Sequence, residues 1–188
     1  MNNATSTWIA LVWHPGTGVL ILLLVLAAFI DLRTWRIPNW LTAVGMAWGL
    51  GWNMASAPSV TTGVLASLAG LGLGLALFLP MWLIRVMGAG DVKLMAMVGA
   101  FLGPVETIKA ALVVFIVGGL AVLFYAFANN AFRRLARNMK DITASLVIPG
   151  MPIWRPELAG ASIGKLPYGV SISLGTIAFL SLRQLGYA

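Results

Sequence analysis

Long apolar segments separated by short polar stretches make up most of the chain. Six of them are bounded by charged residues, proline or glycine, and cover residues 17–30, 40–54, 60–86, 91–102, 107–128 and 168–182. A helix needs about 20 apolar residues to cross the hydrocarbon core of a bilayer. The pattern therefore predicts an all-α, polytopic integral membrane protein with about six transmembrane helices. The fourth segment is short, and Gly103-Pro104 is expected to end it.

Small residues recur four positions apart within these segments. The pairs are Gly45 and Gly49, Gly70 and Gly74, and Gly99 and Gly103. Such spacing places both members on one face of a helix, where a neighbouring membrane helix can approach closely. We therefore expect tight helix contacts at these pairs.

Composition supports the membrane interpretation. Of the 188 residues, 60% are hydrophobic and only 9% are charged, and the mean hydropathy is +0.94. Soluble domains carry about 25% charged residues. The length suits one membrane-embedded domain over residues 1–188. The net charge of +7 is concentrated in short stretches between apolar segments. This predicts the lipid bilayer as a partner, and not nucleic acid.

The positions of lysine and arginine predict the orientation of the chain. If the N-terminus is outside, ten of the twelve basic residues fall in inner loops, and only Lys109 and Arg183 are left near the outer face. The inner ones are Arg33, Arg36, Arg85, Lys93, Arg133, Arg134, Arg137, Lys140, Arg155 and Lys165. The positive-inside rule therefore predicts that both termini are outside.

The longest polar stretch, residues 129–167, is predicted to be a cytoplasmic loop. Apolar residues recur in it at helical spacing with basic residues between them: Phe132, Leu135, Ala136, Met139 and Ile142. This spacing is typical of an amphipathic helix on the membrane surface. A polar continuation of the fifth segment fits equally well. The remainder, rich in proline and glycine, is expected to be irregular.

Few residues in the chain can carry chemistry. It has no cysteine and a single histidine, His14, which excludes disulfides, thiolate sites and multi-histidine metal sites. Its acidic residues are Asp31, Asp91, Glu106, Asp141 and Glu157. Asp31 ends the first apolar segment and Asp91 begins the fourth, so the topology places both at the cytoplasmic side. Glu106 falls on the outer side. Acids at membrane helices are costly and usually functional.

Two carboxylates at the same depth suit hydrolysis of a peptide bond by water. They share a proton because both cannot ionise easily, so one can act as base and the other as acid. This chemistry needs no metal and no other cofactor. Gly88 and Gly90 leave space beside Asp91 for a substrate backbone. The simpler interpretation of Gly-Ala-Gly-Asp is a turn with Asp91 as helix N-cap.

Three stretches carry a resemblance to a known family. The sequence DLRTWRIPN, residues 31–39, resembles the first-aspartate motif of type IV prepilin peptidases, and GAGDVKL, residues 88–94, resembles the second motif of these GxGD proteases. LPYG, residues 166–169, also resembles small members of the family. The resemblance implies that Asp31 and Asp91 are the catalytic residues. It implies a prepilin or pseudopilin substrate and a place in the cytoplasmic membrane of a prokaryote.

The chain most resembles the short, peptidase-only form that serves Flp or tight-adherence pili. Larger members link N-methylation to a cysteine-rich zinc motif, and this chain has no cysteine. Gly88, Gly90, Lys93 and Arg33 are candidate substrate-binding residues beside the two aspartates. Lys93 and Arg33 could equally be ordinary cytoplasmic anchors.

Other classes of function remain open on the residues alone. A small transporter or channel could use Asp31 and Asp91 as a proton or cation site. Such a site belongs near the middle of the bilayer, whereas these two acids are predicted at one edge. A presenilin-type protease also uses GxGD, but the Pro-Ala-Leu motif of that group is missing here. A third possibility is a non-catalytic assembly protein, which a cleavage assay would distinguish from a peptidase.

Overall fold

A computed structural model of the protein describes residues 15–84, 86–128, 140 and 167–186. Within these ranges the chain forms helices α1 (Pro15–Thr34), α2 (Asn39–Ser56), α3 (Val60–Leu83), α4 (Ala89–Ala128) and α5 (Tyr168–Gln184), and no strand. The all-α prediction is therefore confirmed for the described part of the chain. His14 lies outside the described residues, as does the predicted cytoplasmic loop except for Lys140 and Pro167.

The described helices include three that are long and apolar enough to cross a membrane. These are α1 with 20 residues, α3 with 24 and α4 with 40. Their length and composition confirm the membrane character of the protein. Helices α2 and α5 are shorter, with 18 and 17 residues. The arrangement of six membrane crossings stays a prediction.

The first part of α4, residues 89–102, is its first arm and packs antiparallel to α3. Gly70 of α3 faces Gly99, and a Cβ atom built on Gly70 would lie 2.1 Å from the Gly99 carbonyl oxygen. One turn further along α3, a Cβ atom on Gly74 would lie 2.5 Å from the carbonyl oxygen of Met95. The two backbones thus touch, as the spacing of small residues predicts.

The chain reverses direction at Gly103, so the second arm of α4, residues 104–128, runs parallel to α3. Gly103 has φ 74° and ψ 176°, a conformation that only glycine adopts readily. It lies beside Ala66 near the start of α3, whereas Phe115 stacks on Phe78 near its end, with ring centroids 4.8 Å apart. The two arms match the fourth and fifth predicted segments, which meet at the predicted stop.

Polar side chains compensate for the break in α4. Pro104 has no backbone N–H, so the carbonyl of Ala100 loses its helical partner. Two side chains replace it: Asn53 Nδ2 donates to this oxygen at 2.8 Å and Ser67 Oγ donates at 2.7 Å. A carbonyl left unpaired in the hydrocarbon region would be costly. These hydrogen bonds also join α2 and α3 to α4 at the depth of the break.

The backbone contact between α3 and α4 leads to the first prediction. Gly70→Ala should lower the thermal stability of the protein in detergent, because the new methyl group meets the Gly99 carbonyl and forces the helices apart. Overpacking of this kind costs about 1–3 kcal/mol. Gly72→Ala on the same helix is the matched control, since nothing lies within 4 Å of a Cβ at Gly72. Equal melting temperatures for the two variants would contradict the contact.

Candidate functional site

Asp31 lies in the last turn of α1 and binds the beginning of α5. Its side chain is only 5% exposed, and Oδ2 accepts a hydrogen bond from the backbone N–H of Gly169 at 3.0 Å. The first amides of a helix have no partner within the helix. The carboxylate of Asp31 therefore caps α5, although Asp31 and Gly169 are 138 residues apart in the sequence.

Asp91 is the third residue of α4 and caps its own helix. Its side chain is 8% exposed, and Oδ2 accepts a hydrogen bond from the N–H of Gly88 at 3.0 Å. The Asp91 N–H in turn donates to the Gly88 carbonyl at 3.1 Å. An acidic residue reaching back to the amide before the helix is half of a capping box. The simpler expectation of Asp91 as the N-cap is thus wrong in position, because Gly88 precedes the helix and Asp91 lies inside it.

The two carboxylates are held in the same way. Each lies at the N-terminus of a helix, where the helix dipole favours negative charge. In each case one oxygen, Oδ2, is fixed by the backbone amide of a glycine, Gly169 for Asp31 and Gly88 for Asp91. Backbone donors at the starts of two helices give both side chains a defined orientation.

A cavity of about 230 Å³ lies between the end of α1 and the start of α4, and both carboxylates line it. The residues that form its wall are Asp31, Trp35, Arg36, Ile37, Gly88, Ala89, Gly90 and Asp91. The structure thus brings together the two acids that the sequence places at one depth. Among the described residues, no three His, Cys, Asp or Glu side chains cluster as a metal site would require.

Ile37 packs between the segments that carry the two aspartates. Its side chain is buried, and it lies 3.1 Å from a Cβ built on Gly90 and 2.9 Å from one built on Gly169. A side chain at Gly90 would therefore crowd Ile37, while Gly90 itself also lines the cavity. Substrate binding by Gly90 stays a prediction. Gly88 is more open, since the nearest atom to its Cβ position is Asp91 Oδ2 at 3.4 Å.

The basic candidates lie beside the cavity but do not line it. Lys93 Nζ donates to Asn39 Oδ1 at 2.9 Å, which ties the start of α4 to the start of α2. The guanidinium of Arg33 lies 4.5 Å from the centre of the Phe29 ring. Arg36, which the sequence did not single out for binding, is the basic residue in the cavity wall. Substrate binding by Lys93 and Arg33 stays a prediction.

Glu106 is far from the cavity, as its position in the sequence predicts. It pairs with Lys109 at 3.3 Å and with Arg183, near the end of α5, at 3.6 Å. The first arm of α4 separates it from Asp91 by roughly 20 Å at a rise of 1.5 Å per residue. The two aspartates therefore stand apart from the ion-pair cluster at the opposite end of the helices.

Besides Arg36, sequence reasoning missed Gly169, Ile37 and Trp35 at this site. Gly169 is part of LPYG, which resembles the family, but a glycine in the first turn of a helix carries no sign of a partner in α1. Ile37 and Trp35 lie inside the first-aspartate motif and look like ordinary apolar residues at a helix boundary. Their roles depend on contacts between distant segments.

Comparison with known proteins agrees with these motifs. The model of the type IV leader peptidase family matches residues 18–127, which include both aspartates. The match confirms the family that the two motifs resemble. No curated protein and no solved structure gives a significant match to the chain.

The contact between Gly169 and Asp31 leads to the second prediction. A Cβ at Gly169 would lie 2.7 Å from Asp31 Oδ2 and 2.9 Å from Ile37 Cδ1, whereas a Cβ at Gly88 meets Asp91 Oδ2 at an ordinary 3.4 Å. Gly169→Ala should therefore destabilise the protein by about 1–3 kcal/mol, and Gly88→Ala should change its stability much less. Thermal unfolding in the same detergent measures both. If Gly169→Ala unfolds no earlier than Gly88→Ala, α5 does not approach Asp31 as described.

Proposed function

The chain belongs to the type IV leader peptidase family, and we propose that it is a GxGD aspartyl endopeptidase that removes the leader from prepilin-like substrates. The observation that carries this proposal is the cavity shared by Asp31 and Asp91 at one end of the helices. Both carboxylates are buried, both are oriented by a glycine amide, and both occupy the positions of the family's motifs.

Two carboxylates that share one proton can hydrolyse a peptide bond with water alone. The ionised carboxylate takes a proton from a water molecule, whose oxygen attacks the carbonyl carbon of the scissile bond. The protonated carboxyl donates a hydrogen bond to the carbonyl oxygen, which gains negative charge. The proton taken from water then passes to the leaving nitrogen as the carbon–nitrogen bond breaks, which restores the carboxylate. Either aspartate could begin as the base.

The anchoring of the carboxylates suits this chemistry. Proton transfer requires the acid and the base to be placed within hydrogen-bond reach of the reacting atoms. Asp31 and Asp91 each have one oxygen fixed by a backbone amide. Their positions are set by packed helices, so little reorganisation is needed when a substrate enters.

The proposed substrate has a short basic leader followed by an apolar helix. The junction between them would lie at the membrane face, the depth at which α1 ends and α4 begins. The positions of lysine and arginine in the described part of the chain agree with a cytoplasmic location for the membrane face at the cavity. Arg33, Arg36 and Lys93 are at the cavity end, and Lys109 and Arg183 are at the opposite end. A prokaryotic cytoplasmic membrane and an Flp-type prepilin follow from the family resemblance.

The position of the cavity favours a peptidase over a transporter. A transport site belongs near the bilayer midplane, where both faces can reach it in turn. This cavity is formed by the last turn of α1, the turn that follows it and the first turn of α4.

The central prediction concerns the two aspartates. Asp31→Asn and Asp91→Asn should each abolish leader cleavage, because asparagine keeps the size of the side chain but cannot exchange a proton. The assay is conversion of a purified prepilin to its shorter form on a gel, in detergent or liposomes. Insertion and melting temperature should be checked for each variant.

The matched control is Glu106→Gln, the same loss of one carboxylate at the opposite end of the helices. It should retain near-normal cleavage. Substantial activity in either asparagine variant would rule out the two-aspartate mechanism. Loss of activity in Glu106→Gln would mean that the acids are wrongly assigned.

The proposed orientation can be tested separately, because the chain has no cysteine of its own. Ala57→Cys, between α2 and α3, should react with a membrane-impermeant thiol reagent from outside intact cells. Lys140→Cys should react only after the membrane is opened. The positive-inside rule gives this expectation, and the reverse labelling would place the aspartates at the outer face.

A further inference from the structure

Trp35 has an unusual backbone conformation beside the cavity. Among the described residues it is the one non-glycine residue with positive φ, at 56°. It follows the last residue of α1, and its N–H donates to the Asp31 carbonyl at 2.9 Å. Helices commonly end in this left-handed conformation, but the residue there is usually glycine, because a Cβ atom makes it costly. A tryptophan at this position has to be explained.

Burial within the protein does not explain it. The side chain of Trp35 is 49% exposed, although it forms part of the cavity wall together with Asp31. The turn itself is held by Thr34, whose Oγ1 lies 2.9 Å from the Ile30 carbonyl and 3.0 Å from the Arg36 carbonyl. These contacts would form equally well around a glycine at position 35. Strained residues of this kind cluster at ligand-binding sites.

Contact with the membrane interface does not require the backbone conformation of Trp35. Trp40 and Trp82 are also exposed, at 61% and 42%, but both lie in regular helices and neither lines the cavity. Aromatic residues at the membrane interface need only such ordinary helical positions. Trp35 differs from them in its backbone conformation and in its place beside Asp31.

We propose that Trp35 is a substrate-contact residue whose indole packs against the leader segment just before the scissile bond. This inference rests on the proposed function. Trp35 lies four residues beyond Asp31, so its backbone is one turn nearer the end of α1 and the membrane face. The leader approaches the aspartates from that side. The indole offers it a broad apolar face with few rotatable bonds to immobilise.

The proposal predicts opposite effects on stability and on activity. Trp35→Gly should raise the melting temperature, because glycine accepts the left-handed conformation without cost. The same variant should lower kcat/KM for prepilin cleavage about tenfold, mainly through a higher KM, because the contact is made with bound substrate. Trp35→Phe keeps an aromatic ring and should recover part of the loss. Trp82→Ala is the control, with kcat/KM unchanged.

A substrate variant locates the contact. In the substrate, the two leader residues before the scissile bond are replaced with alanine. With this substrate, Trp35→Gly should lower kcat/KM by a smaller factor, since both changes remove the same interaction. An unchanged KM for Trp35→Gly would overturn the proposal. An equal loss of kcat/KM with the native leader and with the alanine leader would also overturn it. A lower melting temperature with unchanged KM would make Trp35 a structural residue. If wild-type protein cleaves no prepilin, the proposed function itself fails.

Discussion

The hydrogen bond from the Gly169 amide to Asp31 connects the most distant parts of the site. It joins the end of α1 to the start of α5, and it requires a glycine because any side chain at position 169 would displace the carboxylate. Ile37 occupies the space next to this contact and reaches Gly90, one residue before Asp91. The two acids therefore meet in one cavity because three helix ends converge on Asp31 and Ile37.

The rest of the bundle keeps these helix ends at a common level. Contacts between glycines bring α3 and the first arm of α4 to backbone distance, and the reversal at Gly103 brings the second arm back towards the cavity end. The carbonyl freed by Pro104 is paired by Asn53 and Ser67, so the break leaves this acceptor satisfied. In a membrane protein, small residues allow close helix packing and polar side chains pair freed carbonyls, and here both fix the position of α4.

Much of this arrangement could be predicted from the sequence, because apolar segment length, basic residues and glycine spacing are local signals. They predicted the helical segments, the stop at Gly103-Pro104 and the common depth of Asp31 and Asp91. The partner of Asp31 could not be predicted in this way, since Gly169 is 138 residues away and looks like an ordinary residue of a helix start. The contact between Gly90 and Ile37 could not be predicted either, since Ile37 looks like an ordinary apolar residue at a helix boundary. Trp35 adopts a left-handed conformation that tryptophan disfavours, so residue propensities could not predict it.

The central claim is that Asp31 and Asp91 act as one catalytic unit. The most direct test compares the residual cleavage rate of the double variant Asp31→Asn/Asp91→Asn with that of each single variant, measured over long incubations by mass spectrometry of the released leader. Residues that act together are not additive, so removing the second should cost nothing further. We expect the same residual rate in all three variants. A double variant slower than either single variant by the product of their separate losses would show that the two aspartates act independently.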